Sequence, residues 1–158
     1  MRSKIIAFAL LVITVCSMSS CLKDDNTEVT FYDDTAITSF SLGNFVYNVT
    51  LKTKDGKDSI VSRNAVGTNY PVFIDQTNRR IYNVDSLPVA TDMKHMLVSA
   101  YAKNGGSVLL KKIGSDSLQF FSSTDSLDFS VTRELTVYSQ SGLNTAKYTV
   151  DLVAHKEY

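Results

Sequence analysis

An all-β fold, an antiparallel β-sandwich, is the class this sequence predicts, and three observations predict it. Short runs rich in β-branched and aromatic residues alternate apolar with polar. Turn residues separate these runs at close intervals. No stretch carries a long amphipathic helical period. About eight to ten strands with frequent turn signals favour a sandwich over a barrel or an α/β arrangement.

In chain order, 36–42 is a first strand, broken at Gly43 and Asn44. Phe45, Tyr47, Val49 and Leu51 then alternate with Val46, Asn48 and Thr50, the period of a half-buried strand. Asp55-Gly56 is a hairpin turn signal, and 58–63 is its returning strand. After a loop at 64–69, the segment 70–75 is a strand. Pro71 cannot donate to a ladder, so it belongs at that strand's start or on an edge. Residues 76–78 turn the chain into 80–84. Thr91 or Asp92 can cap a helical turn over 91–95. Strands follow at 97–103 and 107–113, joined by Asn104-Gly105-Gly106. The second has apolar residues on both parities, as a strand covered on both faces would. A short strand at 118–121 precedes the clearest pair, 131–139 and 145–155. There Ala146, Tyr148, Val150, Leu152 and Ala154 fall on one face, and Thr145, Lys147, Thr149, Asp151 and His155 on the other.

The amino-terminal end reads differently. Arg2 and Lys4 precede an uncharged apolar run at 5–15, then Ser17, Ser19, Ser20 and Cys21. Charged head, apolar middle and small-residue exit are the layout of a cleaved secretory signal. The run is too short to cross a bilayer, which takes roughly 20 apolar residues. Met18-Ser19-Ser20-Cys21 resembles the lipobox of bacterial lipoproteins. That resemblance implies cleavage before Cys21 and lipid attachment to its thiol. Each buried methylene adds about 0.8 kcal/mol, so the two or three chains of such lipoproteins hold stably. Lys23-Asp24-Asp25 resembles the export signal of Bacteroidetes surface lipoproteins, which implies an outer-membrane, surface-exposed address; otherwise the protein stays on the periplasmic leaflet. The organisation expected is a signal peptide at 1–20, a flexible tether at 21–34 and one β-sandwich domain at 35–158.

Composition bounds the rest. Loss of residues 1–20 leaves 138 of 158 residues, enough for one domain with a sound core. Arg2 and Lys4 leave with the signal, so 14 basic side chains face 16 acidic ones, a net charge of −2. No basic stripe invites nucleic acid. Cys16 is discarded and Cys21 acylated, so the domain carries no disulfide, no Cys nucleophile and no Cys-ligated metal. Trp is absent too. Any immunoglobulin likeness is therefore one of architecture.

Asp34-Thr35-Ala36-Ile37-Thr38-Ser39-Phe40, Phe73-Ile74-Asp75, Ile81-Tyr82-Asn83, Asp85-Ser86-Leu87-Pro88 and the closing hairpin to Lys156 together resemble one family: the uncharacterised N-terminal domain of certain Bacteroidetes lipoproteins. The likeness covers roughly residues 21–157. The closing hairpin also resembles the last two strands of cadherin-like, Ig-like sandwich modules. In the family this module usually precedes a β-propeller. This chain departs in stopping at Tyr158, either as a stand-alone module or as one lacking its propeller. The resemblance implies a fold and an address, not an activity.

Chemistry-bearing residues are sparse. Asp92, His95 and Ser99 lie close in sequence, but no nucleophile elbow or oxyanion hole accompanies them. Asp125 and Asp128 are too thinly spaced for calcium and suit turn capping. Tyr47, Tyr70, Tyr82, Tyr101, Tyr138 and Tyr148 are the aromatics on which a sugar could stack, although strand tyrosines commonly pack into cores. The triplets at Asp34-Thr35-Ala36, Asp58-Ser59-Ile60, Asp85-Ser86-Leu87, Asp116-Ser117-Leu118 and Asp125-Ser126-Leu127 resemble Bacteroidetes O-glycosylation acceptors, which makes Thr35, Ser59, Ser86, Ser117 and Ser126 candidate acceptors. The competing reading is Asp-Ser turn chemistry. Asn48-Val49-Thr50 is strand sequence rather than a modification site. The expected function is a non-catalytic lipoprotein without cofactor or metal, serving as spacer, adhesion or partner-docking module. Its partners would be the membrane, through Cys21, and a protein or glycan at the cell surface. The alternative is an accessory glycan-binding lipoprotein of a polysaccharide-uptake system.

Overall fold

The computed structural model describes residues 30–155, and 31–155 are built from strands and short turns around a shared core. Eleven strands follow in order: β1 Ile37–Leu42, β2 Phe45–Lys52, β3 Asp58–Ala65, β4 Val72–Asp75, β5 Arg80–Asn83, β6 Met96–Ala102, β7 Ser107–Lys111, β8 Leu118–Gln119, β9 Ser126–Leu127, β10 Arg133–Tyr138 and β11 Thr145–Asp151. One sheet has the order β1-β6-β9, the other β4-β5-β11-β10-β7-β8; β2 and β3 pair with each other, and β2 adds one bridge, Tyr47 to Thr91. Every strand pairing is antiparallel except β5 with β11. Among the described residues no helix is long and apolar enough to cross a membrane.

The two larger sheets close over one apolar layer. Ile37, Phe40 and Leu42 of β1, Met96 and Val98 of β6 and Leu127 of β9 face Ile81, Leu110, Leu135, Val137, Tyr148 and Val150 of the second sheet. This is the all-β sandwich the alternation predicts. In β11 Ala146, Tyr148 and Val150 are buried while Thr145, Lys147 and Thr149 are exposed, so period two maps onto inside and outside. Fully burying a side chain such as Leu135 or Val150 contributes about 1.5–3 kcal/mol.

Turn chemistry sets the register. Pro71 stands immediately before β4, where its missing N–H costs no ladder bond. The Asp75 carboxylate accepts from the N–H groups of Thr77 (3.0 Å) and Asn78 (2.9 Å) and from Asn78 Nδ2 (2.7 Å). These bonds, the one from the Asn78 N–H foremost, hold its carboxyl below the usual range. Between β6 and β7, Asn104 (φ 53°) and Gly105 (φ 77°) both adopt the left-handed conformation that Asn and Gly tolerate. Asn83 fastens the far end of β11: its Nδ2 donates to the Val153 carbonyl (2.8 Å) and its Oδ1 accepts from the Val153 N–H (2.8 Å).

Two details depart from the sequence expectations. Residues 91–95 make a single hydrogen-bonded turn rather than a helix: the His95 N–H donates to the Asp92 carbonyl (3.3 Å) and the Asp92 carboxylate caps the Lys94 N–H (3.2 Å). The Asp92 N–H, however, goes to the Val46 carbonyl (2.8 Å) and the Met93 carbonyl accepts from Phe129 (2.7 Å), so the turn does not extend. Strand β9, unmarked in the sequence reading, pairs Leu127 with Met96.

Residues 31–34, the last part of the stretch read as a tether, lie against the domain. Tyr32 donates to Gln140 Oε1 (3.3 Å), and its carbonyl accepts from the Ser141 N–H (3.1 Å). The Asp34 carboxylate accepts from Lys103 Nζ (3.0 Å) and Asn104 Nδ2 (2.6 Å). The chain thus joins the sandwich beside the β6–β7 and β10–β11 turns. From there β1 runs roughly 20 Å, at about 3.3 Å per residue, to Gly43 at the opposite end.

Candidate functional site

That opposite end carries the feature that belongs to neither large sheet. The β2–β3 hairpin leaves at Gly43 and returns at Gly67, whose backbone sits so close to the carbonyls of Leu42 and Gly43 that no side chain fits. Phe45 and Ala65 at its base are buried, and Phe45 packs on Tyr70 with ring centroids 5.3 Å apart. Beyond the base, cover is lost: Val46, Leu51 and Val61 are exposed, and Ile60 is 72% exposed. The alternation read as a half-buried strand holds from Phe45 through Thr50, with Phe45 buried and Tyr47 and Val49 half-buried, and fails at Leu51, which is exposed. Residues 53–57 turn through Gly56 (φ 73°), with Thr53 Oγ1 donating to the Lys57 carbonyl (3.0 Å) and Lys52 paired with Asp58.

The two edges of this hairpin differ. Along β2 the Asn48 N–H donates to the Ala90 carbonyl (3.1 Å) and the Val46 carbonyl accepts from Asp92. Residues 46 and 48 thus turn their bonding groups away from β3. In the observed register Val46 faces Asn64 and Asn48 faces Ser62. Asn64, Ser62, Ile60 and Asp58 therefore turn their N–H and C=O groups outward as well. Among the described residues no strand or loop bonds to this outer edge of β3. Along β2, a groove of about 360 Å³ is lined by Tyr47, Thr50, Ile60, Pro88, Val89 and Ala90.

A second, more polar surface lies on the outer face of the six-stranded sheet. A groove of about 330 Å³ brings together Tyr138, Leu118, Thr145, Glu134 and Lys147, with Lys111 and Asp116 at its side. Lys147 pairs with Glu134 (3.1 Å) and Lys111 with Asp116 (2.7 Å). The hydrogen bond and attraction between Lys111 and Asp116 raise the ammonium's pKa and lower the carboxyl's. On β4 and β5 of the same sheet, the exposed Phe73 and Tyr82 rings meet at 5.4 Å.

The other sequence candidates disperse. Cys21, Lys23, Asp24 and Asp25 lie outside the described residues. Thr35 and Ser59 are half-buried; Ser86, Ser117 and Ser126 are exposed, on separate parts of the surface. Four of the five companion aspartates have a local partner: Asp34 with Lys103, Asp58 with Lys52, Asp116 with Lys111, and Asp125 accepting from the Ser122 N–H (2.7 Å). His95 Nδ1 is 2.8 Å from Asp92 Oδ2, but the Ser99 hydroxyl bonds to that of Ser41 (2.8 Å) and takes no part in that pair. Asp128 accepts from the Ser130 hydroxyl (2.6 Å) and N–H (2.8 Å), a turn arrangement that holds its carboxyl low. Among the described residues no group of three or more His, Cys, Asp or Glu is placed to hold a metal. Of the tyrosines, Tyr148 is in the core, Tyr47, Tyr70 and Tyr138 are half-buried, and Tyr82 and Tyr101 are exposed.

Arg133 was not anticipated as a core residue. Its Nη2 donates to the Lys111 carbonyl (2.8 Å), its Nη1 donates to the Asp128 carbonyl, and its guanidinium lies 5.7 Å from the Phe129 ring centroid. Burial lowers its pKa. The guanidinium serves as an internal clasp between the start of β10 and the end of β7.

Residues 40–152 match a family described as Domain of unknown function (DUF6242) N-terminal domain. No curated protein matches the chain.

Proposed function

The chain belongs to the DUF6242 N-terminal-domain family, an uncharacterised domain, and from that premise we propose that it is a lipid-anchored outer-membrane protein whose β2–β3 hairpin docks a partner at the cell surface. The observation that carries this reading is the placing of the hairpin. It stands at the end of the sandwich opposite residues 31–36, with exposed apolar side chains and one edge whose backbone bonds to no strand or loop among the described residues. A chain held through lipid on Cys21, with Lys23, Asp24 and Asp25 directing export, would be attached through the end that carries residues 31–36, which leaves the hairpin end for a partner. The finer fold reading supports the same division. Sheets β1-β6-β9 and β11-β10-β7 resemble the two layers of an Ig-like or cadherin-like sandwich, which leaves β2–β3 as an addition to it.

A photo-reactive amino acid at Ile60, in intact cells of the native host, tests the docking. Adducts from Ile60 and none from an equivalent probe at Leu143 would support it; no adduct at Ile60 would overturn it. Metabolic labelling with a clickable fatty acid tests the anchor separately, and a chain that takes no label would remove it.

The outer face of the six-stranded sheet favours a second reading, glycan binding. Tyr138 offers an apolar ring, and Glu134, Lys147 and Thr145 offer hydroxyl partners around it. A glycan array would decide this: signal lost in Tyr138→Ala supports it, and a blank array removes it.

A further inference from the structure

We infer that the occupant of the open β3 edge is the β3 edge of a second copy, paired antiparallel about a two-fold axis at Val61. The inference rests on the docking reading and names its partner.

The register permits this pairing. Outward-bonding residues must meet outward-bonding residues, so Asp58, Ile60, Ser62 and Asn64 of one chain can only pair with members of the same set. A two-fold at Val61 matches Ile60 with Ser62 of the second copy, and Asp58 with Asn64, in hydrogen-bonded pairs. Val61 then faces Val61 in the closer, non-hydrogen-bonded position. The two Ile60 side chains become diagonal neighbours on the other face, within reach of each other. The most exposed apolar residue of the hairpin would thus gain cover from its own counterpart.

Charge neither drives nor opposes this arrangement: Asp58 is already paired with Lys52, and Arg63 lies on the opposite face of the strand. What favours a second copy is that Ile60 and Val61 sit at the centre of the edge, where the two-fold brings each onto its own counterpart. The centre of the edge, Ile60-Val61-Ser62, carries none of the lysine, proline or bulge that commonly blunts an edge strand. One strand pairing is a small contact, so the association belongs to the weak class of interfaces.

Disulfide trapping tests the register. The full chain carrying Cys16→Ser and Cys21→Ser, in mild detergent, has no other thiol. Val61→Cys should oxidise to a dimer at least tenfold faster than Leu143→Cys, an exposed site remote from β3 in the chain. A non-hydrogen-bonded pair has its Cα atoms about 4.5 Å apart, within disulfide range. Adding Ile60→Lys should remove the advantage. Equal rates at the two sites would overturn the inference. Should Val61→Cys misfold, sedimentation of the chain with native Val61 gives the second readout. Two-copy mass at high concentration that reverts to one copy in Ile60→Lys supports the pairing; one-copy mass throughout overturns it. Photo-adducts at Ile60 separate the two levels of argument. An adduct of twice the chain's mass supports the second copy. An adduct of another mass removes the second copy and leaves docking. No adduct removes both.

Discussion

The phenol of Tyr148 donates to Gln76 Oε1 across 2.6 Å, and Gln76 Nε2 in turn donates to the Ile37 carbonyl at 2.6 Å. One side chain therefore ties β11 of the larger sheet to β1 of the smaller. Sheet packing alone is non-directional. This relay fixes how the sheets meet at that edge, and with it the line along which β1 delivers the chain to the hairpin.

Tyr148→Phe keeps the ring and removes the donor. Gln76 is exposed, so water can replace the phenol at its oxygen, and the cost should be about 1 kcal/mol rather than the full penalty of a stranded buried group. Urea unfolding checks it, with a lower midpoint and an unchanged m-value expected. An unchanged midpoint would mean that the relay carries no net stability.

Gly67→Ala should cost more. A β-carbon at residue 67 runs into the backbone carbonyls of Leu42 and Gly43, which cannot rotate away as a side chain would. Overpacking of this kind typically costs about 1–3 kcal/mol. Because the clash lies at the hairpin's base, amide exchange should rise most along β2 and β3. Loss spread evenly over all strands would show instead that the hairpin and the sandwich open together.

Acid should destabilise the fold. The carboxyls of Asp75, Asp116 and Asp128 all lie below their usual 3.8, held there mainly by hydrogen bonds from Asn78, Lys111 and Ser130 respectively. A group whose folded pKa is depressed contributes fully above its unfolded value and loses that contribution as pH falls through the folded one. Thermal melts should therefore hold a plateau above about pH 5 and fall below about pH 4. Asp75→Ala should lower the plateau and shallow the acid limb. A melting temperature that is flat to pH 3 would contradict this.

How far the sequence disclosed this structure depended on what each pattern reports. Alternation in 145–155 marked inside and outside for β11 because both of its neighbours, β10 and β5, lie in the same covered sheet. The same alternation in Phe45, Tyr47, Val49 and Leu51 reports which residues share a face, not whether anything covers it. Cover fades along this face, from buried Phe45 through half-buried Tyr47 and Val49 to exposed Leu51, because the hairpin leaves the sandwich. Arg133 was legible in principle: it shares parity with Leu135 and Val137, which point inward. Charge argues against burial in a sequence, and only the fold shows the two carbonyls and the Phe129 ring that receive it. The open edge of β3 could not be read at all, since strand order is a property of the folded chain.

Intact mass is the test for the acceptor-like triplets. The Asp-Ser pattern has an alternative origin that the structure makes concrete, since Asp125 accepts a turn bond from the Ser122 N–H and Asp34, Asp58 and Asp116 each hold an ion pair with a lysine. A glycosyl transferase must still reach the hydroxyl. Ser86, Ser117 and Ser126 are exposed, whereas Thr35 and Ser59 are half-buried. In protein from the native host, mass beyond polypeptide and lipid should therefore map to Ser86, Ser117 or Ser126, and a Ser→Ala change at the occupied site should remove it. Sugar confined to Thr35 or Ser59 would imply modification before folding. Protein and lipid mass alone would leave the triplets as turn chemistry.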